Sequence, residues 1–430
     1  MQIKPFAALR PVRERTADIA ALPYDVQSSD EARVIAQKNP LSFIVIDEPS
    51  VNFPAPVDPS DLRVYLKAGD LLGALESFGL MHQDEEECYY LYELTMNGRT
   101  QRGLVGCVSI DDYLNGVVKE HESTRVDKEM DRINHIRACE AQTGPIFLAY
   151  RHDDDLAAVY DRALAGEPLF DFTASDGVRH RGFLIDKADY GLIEQRCAAM
   201  DSVYIADGHH RVAAASEVAK ARRKAFGTHP GEHECDWFMA VLFSDSELEI
   251  LPYDRVVRDL NGLTEEEFLQ ELYYRFNVEP VDEPDAETPF SVQAAEDRQA
   301  AEEFLRPRER GEFATYLGGR WYRCHVWPDE MPPADDVPAA LEVTMMQRKL
   351  FQPVLGIADP RRSPRIDFVG GIRGIAELER RCQTDCAAAF ALSPTKIEEL
   401  FAVADAGRLM PPKSTWFEPK LRSGLFIHKI

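Results

Sequence analysis

Residues 202–215 constrain the fold of this chain more than any other stretch, because a short apolar run passes directly into an alanine-rich run. The pattern predicts a strand that ends at Asp207, a turn at Gly208 and a helix that begins at His209. The first turn of a helix offers N–H groups and a positive dipole end, so it attracts anions. Gly208 allows close approach to the backbone, and Arg211 adds a charged fork. The residues alone fit a phosphate site and ordinary helix capping equally well.

A second polar cluster lies upstream, in residues 117–125. A zinc protease would need a second histidine four residues after His121, but Arg125 stands there, which excludes that class of enzyme. An acidic residue beside a phosphate site can instead accept the proton of a substrate hydroxyl. The alternative is a solvated charge cluster.

Two further positions have side chains suited to ligands. Asp207 stands at the N-cap position, where a carboxylate caps the helix or, turned outward, holds a metal or orients a hydroxyl. Near the C-terminus, prolines flank the run Lys413, Ser414 and Thr415. This run can supply a cation and two hydroxyls to a phosphate or carboxylate. A surface turn is the alternative for the same run.

Composition narrows the class of protein. A chain of 430 residues suggests two or three domains. The formal net charge of −25 argues against nucleic acid as the main partner. The N-terminus has no signal-like pattern and no apolar stretch is long enough for a bilayer, so we expect a cytoplasmic protein without a membrane partner. Eight scattered cysteines predict reduced thiols, with zinc at Cys382 and Cys386 as the minor alternative.

Elsewhere the hydrophobic pattern mixes helical and strand periods. It predicts a helix within residues 60–79 and a hairpin that turns at Asn97 and Gly98. Apolar runs at residues 42–46 and 237–243 predict strands. Together these elements predict an α+β protein.

The run from Ala206 to Arg211 resembles the signature of free-serine kinases of the SerK type, whose core is similar to ParB and sulfiredoxin. The sulfiredoxin motif has cysteine where this chain has His209, which argues against sulfinic acid chemistry. ParB has an acidic residue and an arginine in place of the two histidines. The shared role implied by the resemblance is binding of nucleotide phosphates by Gly208, His209, His210 and Arg211.

The same resemblance implies the remaining roles. Kinases of this type have a His-Glu pair upstream, so Glu122 matches their catalytic base, while Asp207 would help to place Mg²⁺ or the hydroxyl. The implied donor is ATP or ADP, and the acceptor is free L-serine or a similar small hydroxy compound. The implied substrate-binding residues are His121, Thr124, Lys413, Ser414 and Thr415. The separation of Glu122 from Asp207 is longer here than in the compact kinases, so the resemblance requires an insertion that loops out.

The whole chain is similar to a prokaryotic family catalogued as having unknown function, in which residues 22–26, 121–124, 206–211 and 412–415 have counterparts in this order. We therefore expect a ParB/sulfiredoxin-like mixed core with additional N-terminal and C-terminal α/β elements. Two other functions stay open: a ParB-like regulatory module that binds or hydrolyses a nucleotide, and a non-catalytic sensor of an amino acid or phosphorylated metabolite. The predicted segments are an N-terminal α/β part (1–114), the nucleotide-binding core (115–260), an acidic helical and hairpin insertion (261–338) and a C-terminal part with the substrate loop (339–430).

Overall fold

The computed structural model describes residues 1–54, 57–281, 290–333 and 336–430. The chain forms two compact units: unit 1 comprises Met1–Leu248 and Pro419–Ile430, and unit 2 comprises Glu249–Glu418. The four segments expected from the sequence stay a prediction about domains. Within the third of them, residues 282–289 and 334–335 lie outside the described residues.

Unit 1 combines a large mixed sheet with helices. Its helices are α1 (Thr16–Ile19), α2 (Ser29–Lys38), α3 (Ile44–Asp47), α4 (Leu62–Ser77), α5 (Ile110–Leu114), α6 (Val126–Cys139), α7 (Asp154–Leu164), α8 (Tyr190–Ala198) and α9 (His209–Phe226). Its strands are β1 (Ile3–Lys4), β2 (Leu9–Pro11), β3 (Met81–Gln83), β4 (Tyr90–Met96), β5 (Arg99–Ser109), β6 (Val118–Lys119), β7 (Ala141–Gln142), β8 (Ile146–Tyr150), β9 (Phe170–Thr173), β10 (Arg179–Leu184), β11 (Val203–Asp207), β12 (Trp237–Ser244) and, at the C-terminus, β21 (His428–Lys429).

The main sheet of unit 1 runs in the order β6, β11, β8, β12, β5, β4, β10 and β9, and β1 pairs with β5. Every residue of β8 is buried, and so are all residues of β12 except Trp237. Such continuous burial is expected for apolar strands that are covered on both faces. The large apolar core of the unit packs around these strands.

The pairing of β6 with β11 positions the two polar motifs. These strands are parallel, with Val118 opposite Val203 and Lys119 opposite Tyr204. Parallel strands end at the same edge of a sheet, so the segments that follow β6 and β11 emerge side by side. Strand β8 is antiparallel to β11, which brings its first residues to the same edge.

Most elements predicted in unit 1 are confirmed. The hairpin of β4 and β5 turns at Asn97 and Gly98, which have φ of 51° and 80°. The predicted strand at residues 42–46 is wrong, because residues 44–47 form α3. A short run of apolar residues fits either a buried strand or a buried helix. Here all four residues of α3 are buried, so their burial does not require a strand.

Unit 2 has a second mixed architecture. Its strands are β13 (Glu249–Leu251), β14 (Tyr253–Val257), β15 (Phe276–Pro280), β16 (Glu312–Leu317), β17 (Arg320–Val326), β18 (Ile366–Gly370), β19 (Ala388–Ala391) and β20 (Trp416–Glu418). Its helices are α10 (Glu265–Arg275), α11 (Arg298–Leu305), α12 (Val337–Ala340), α13 (Glu342–Met346), α14 (Ile375–Thr384) and α15 (Ile397–Asp405). The sheet order is β15, β17, β16, β19, β14 and β18, with β13 and β20 paired separately.

The mixed α and β class predicted for the protein is confirmed by both units. None of the described helices is both long and apolar enough to cross a lipid bilayer.

Replacement of Gly208 by Ala tests the turn between β11 and α9. Gly208 has φ of 97°, and a Cβ there would lie 3.5 Å from the Cα of Ile146. Because L-residues pay roughly 1–2 kcal/mol in left-handed backbone, we expect G208A to lower the free energy of unfolding by about that amount. Urea unfolding measures the change.

The matched control is Gly191→Ala in α8, where a Cβ would meet no atom within 4 Å. This helical position is expected to gain roughly 0.5–1 kcal/mol of stability from alanine. Equal unfolding midpoints for G208A and G191A would contradict the strain assigned to the turn.

Candidate functional site

The site is built at the end of β11. The backbone leaves the strand at Asp207, turns at Gly208 and enters α9 with His209 in its first turn. Asp207 Oδ1 accepts a hydrogen bond of 2.8 Å from the Gly208 N–H, which fixes the carboxylate against the turn. The helix has 18 residues, so its N-terminus has the full dipole of a long helix.

The polar segment after β6 contacts this helix N-terminus directly. The rings of His121 and His209 meet edge to face, with centroids 4.6 Å apart and an interplanar angle of 86°. The backbone N–H of Arg125 donates to His210 Nε2 at 3.0 Å, although the two residues are 85 positions apart in the chain. The two predicted motifs are therefore in contact, and the long stretch between them does not separate them.

Burial determines the charge of the first histidine. His121 is 1% exposed. Burial lowers its pKa to about 4, against the opposing effects of a hydrogen bond with the Ile205 backbone and of the Asp207 charge. The imidazole is therefore neutral near pH 7, and it packs against His209 as an uncharged ring. A neutral ring in this position adds no positive charge to the start of α9.

In the sequence, Glu122 lies between the two residues that contact α9, His121 and Arg125. Its neighbours in the sequence, His121 and Arg125, touch the two histidines of α9, and Glu122 itself is partly buried. Thr124 is the other residue predicted in this segment, and its hydroxyl donates a hydrogen bond to Glu129. The backbone path thus places the glutamate beside the start of α9.

A lysine that the sequence argument missed completes the end of β11. Lys420 Nζ lies 2.8 Å from Asp207 Oδ2, and the lysine side chain is only 9% exposed. The two residues are 213 positions apart, so no local pattern links them. In the sequence Lys420 lies between the charged residues Glu418 and Arg422, so nothing marks it as a site residue. Asp207 is therefore held by a backbone N–H on one oxygen and a cation on the other.

Arg211 extends the site toward the N-terminal part of the chain. Its Nη1 donates to the carbonyl oxygen of Pro145 at 2.9 Å, just before β8. Its Nη2 lies 3.6 Å from Asp25 Oδ1, and its guanidinium lies 5.8 Å from the centre of the Tyr24 ring. The segment of residues 22–26 noted in the sequence therefore contacts the helix N-terminus.

The predicted substrate run Lys413, Ser414 and Thr415 belongs to unit 2. Lys413 has φ of 58°, and its Nζ lies 5.6 Å from the centre of the Tyr253 ring. Arg255 Nη2 donates to the Lys413 carbonyl at 2.9 Å, and Ser414 Oγ donates to the Pro411 carbonyl at 2.7 Å. These contacts hold the loop in a defined conformation, and its binding role stays a prediction.

The acidic groups fit only one mode of metal binding. Within the described part of the chain, no group of three or more His, Cys, Asp or Glu side chains is arranged to hold a metal ion. Mg²⁺ in phosphoryl-transfer sites commonly rests on one or two carboxylates and on the phosphates themselves. Asp207 could supply one such carboxylate, and binding of Mg²⁺ stays a prediction.

Comparison with known proteins gives a family and a set of distant structures. The model of a family described as "Protein of unknown function (DUF1015)" matches residues 3–350. No curated protein sequence matches the chain.

Among solved structures, a C-terminally truncated SbnI from Staphylococcus aureus is 11% identical, with a TM-score of 0.37, and the match covers 74% of this chain and 85% of SbnI. A variant of a free serine kinase in complex with ADP is 14% identical, with a TM-score of 0.33, and the match covers 74% of this chain and 91% of the kinase. A conserved hypothetical protein from Pyrococcus furiosus is 13% identical, with a TM-score of 0.32, and the match covers 74% of this chain and 94% of that protein. Likeness at this level does not extend to activity, so the function has to be inferred from the residues of the site.

A double-mutant cycle tests the contact between Asp207 and Lys420. Removing either partner leaves the other charged group poorly paired at a largely buried position. We therefore expect the stability effects of Asp207→Asn and Lys420→Met to be non-additive, with a coupling free energy of about 1–3 kcal/mol. Urea unfolding of the wild type, both single variants and the double variant gives this value.

The pair of Lys187 and Glu86 provides a control, because both side chains are more than half exposed at a similar distance of 2.7 Å. Its coupling is expected to stay below about 1 kcal/mol. Additive effects at Asp207 and Lys420 would mean that the lysine does not hold the carboxylate.

Proposed function

The chain belongs to the DUF1015 family, and we propose that it transfers a phosphoryl group from ATP or ADP to the hydroxyl of free L-serine or a similar small hydroxy compound. One observation carries the proposal: the segment of Glu122 lies against the N-terminus of α9 through the contacts of His121 with His209 and of Arg125 with His210. A candidate base and a candidate anion site are thereby adjacent. The likeness of the two motifs to free-serine kinases supplies the identity of the acceptor.

The nucleotide phosphates bind at the start of α9 in this proposal. Gly208 and the first turn of the helix offer backbone N–H groups and the positive dipole end. His209, His210 and Arg211 add side-chain donors. Phosphoryl transfer requires little covalent chemistry from the protein, since positioning and neutralisation of charge provide most of the acceleration.

Glu122 acts as the general base. Its carboxylate accepts the proton of the acceptor hydroxyl as the oxygen attacks the terminal phosphorus. The bond between that phosphorus and the leaving phosphate oxygen breaks, and the nucleotide departs with one phosphate fewer.

Lys420 supplies a fixed cation next to the phosphates. Asp207 holds its ammonium group at 2.8 Å, which fixes the position of the charge at the end of β11. A cation placed in advance stabilises charge in the transition state without reorganisation. Mg²⁺, held by Asp207 and by the nucleotide itself, would neutralise phosphate oxygens further.

Substitution of Glu122 by Gln tests the base directly. Loss of a general base typically costs 10²–10⁴ in rate, so we expect E122Q to lower kcat by about that factor while nucleotide affinity stays near the wild-type value. Purified protein is incubated with Mg²⁺, ATP or ADP, and a pool of amino acids, and phosphoserine is quantified by mass spectrometry. Isothermal titration with ADP gives the affinity.

The matched control is Glu120→Gln, at a nearby position in the sequence. Glu120 accepts a hydrogen bond from the hydroxyl of Tyr113 and has no role in the proposed mechanism. Its turnover is expected to match the wild type. Unchanged turnover in E122Q would remove Glu122 from the mechanism. Nucleotide binding without any phosphorylated product would favour the regulatory module, and amino-acid binding independent of nucleotide would favour the sensor.

Substitution of Lys413 by Ala tests the predicted substrate loop. Loss of a charge-assisted hydrogen bond costs about 1.5–3 kcal/mol, so we expect KM for L-serine to rise by about 10–100-fold while KM for the nucleotide is unchanged. The control is Lys349→Ala in the same unit, whose ammonium group pairs with Glu330. Equal serine KM values for the two variants would exclude Lys413 from acceptor binding.

A further inference from the structure

A small cavity with mixed polar and apolar walls adjoins Arg211 in unit 1. Its volume is about 30 Å³, and its polar walls include Asp47, Arg132, Thr143, Gly144 and Arg211. About 10–15 Å³ on this scale accommodates one water molecule, so the space suits two oxygens of a carboxylate or phosphate group. The cavity contains no residue to which the proposed reaction assigns a role except Arg211.

Most polar groups around the cavity already have protein partners. Arg132 donates to Asp131 Oδ2 at 2.7 Å and to the Asp47 carbonyl at 3.3 Å. The Asp47 carboxylate accepts from Thr143 Oγ1 at 3.3 Å and from Ser423 Oγ at 2.5 Å. These pairs fix the walls of the cavity, and they include one cation, Arg132, and two carboxylates, Asp47 and Asp131.

Arg211 differs from its neighbours. Its Nη1 donates to the Pro145 carbonyl, but its Nη2 is buried and makes no hydrogen bond to any described residue. A guanidinium group stays charged at all accessible pH values, and a buried charged donor without an acceptor is costly. The charge of Arg211 is offset by Asp25, Asp207 and Asp47, but its Nη2 group still has a hydrogen-bond position that an acceptor from outside the chain could fill.

Asp25 lies outside the cavity lining and forms an ion pair with this donor. Its Oδ1 lies 3.6 Å from Arg211 Nη2, which is an ion pair without a hydrogen bond, and its side chain is 35% exposed. Asp25 lies on the short 3₁₀ turn Tyr24–Val26. A ligand oxyanion in the cavity would make the closer contact and would be repelled by the Asp25 carboxylate.

We infer that this cavity is an oxyanion subsite, in which Arg211 Nη2 donates to a ligand carboxylate or phosphate and Asp25 is an internal competitor. The inference deepens the proposed function and rests on it for the role of Arg211. The same chemistry is available from the carboxylate of the amino-acid acceptor or from a phosphate of the nucleotide donor, so the experiment has two arms.

Isothermal titration of the full chain compares Asp25→Asn with the wild type. The first arm uses L-serine and serinol, which lacks the carboxylate, and the second uses ADP and adenosine, which lacks the phosphates. Removing a like charge next to the bound anion is expected to tighten binding of one anionic ligand by about tenfold, with its uncharged analogue unaffected. The arm that responds identifies the group in the cavity.

Asp30→Asn is the charge-matched control, because Asp30 is exposed on α2 and is expected to leave all four affinities within twofold. Arg211→Lys gives an independent measurement: it keeps the positive charge but loses the forked donor, so the same anion should bind at least tenfold more weakly. The inference is overturned if D25N and D30N give equal affinities for both anions, or if neither L-serine nor ADP binds. A selective effect of D25N together with absent phosphoserine would retain the subsite and reject the kinase.

Discussion

The site depends on the parallel pairing of β6 with β11. Only two residue pairs define this contact, Val118 with Val203 and Lys119 with Tyr204. Because both strands run in the same direction, the chain leaves each of them at the same edge of the sheet. Glu122 and the helix that begins at His209 are therefore neighbours despite the intervening residues. The long intervening stretch forms other parts of unit 1, including α6, α7, α8 and strands β8 to β10.

The groups at this edge are held by contacts with other residues of the chain. Asp207 is fixed by the Gly208 N–H and by Lys420, and the ring of His209 is fixed against the buried His121. Such preorganisation matters for phosphoryl transfer, since groups that need not move at the moment of reaction stabilise the transition state most effectively. The negative net charge of the whole chain does not conflict with anion binding, because local cations and helix ends determine the field in a site.

Local patterns predicted much of the fold and part of the site. The strand, turn and helix around Gly208 were predictable because three local signals indicate the same structure. The apolar run indicates the strand, the glycine indicates the turn and the alanine-rich run indicates the helix. The strand predicted at residues 42–46 is wrong, because residues 44–47 form a helix. A short run of apolar residues has no hydrophobic periodicity that distinguishes a strand from a helix. The contacts of Lys420 with Asp207 and of Asp25 with Arg211 were not predictable, because long-range pairing of single charged residues leaves no local signal. The family resemblance indicated Glu122, but its closeness to α9 follows from the β6 and β11 register.

The central claim is that the segment after β6 and the start of α9 form one nucleotide-binding site. Hydrogen–deuterium exchange of the full chain with and without ADP tests it most directly. Slower exchange is predicted in peptides that cover residues 118–125 and in peptides that cover residues 207–213, with no change in the hairpin of β16 and β17. Slower exchange at residues 207–213 alone, or at neither segment, would contradict the account.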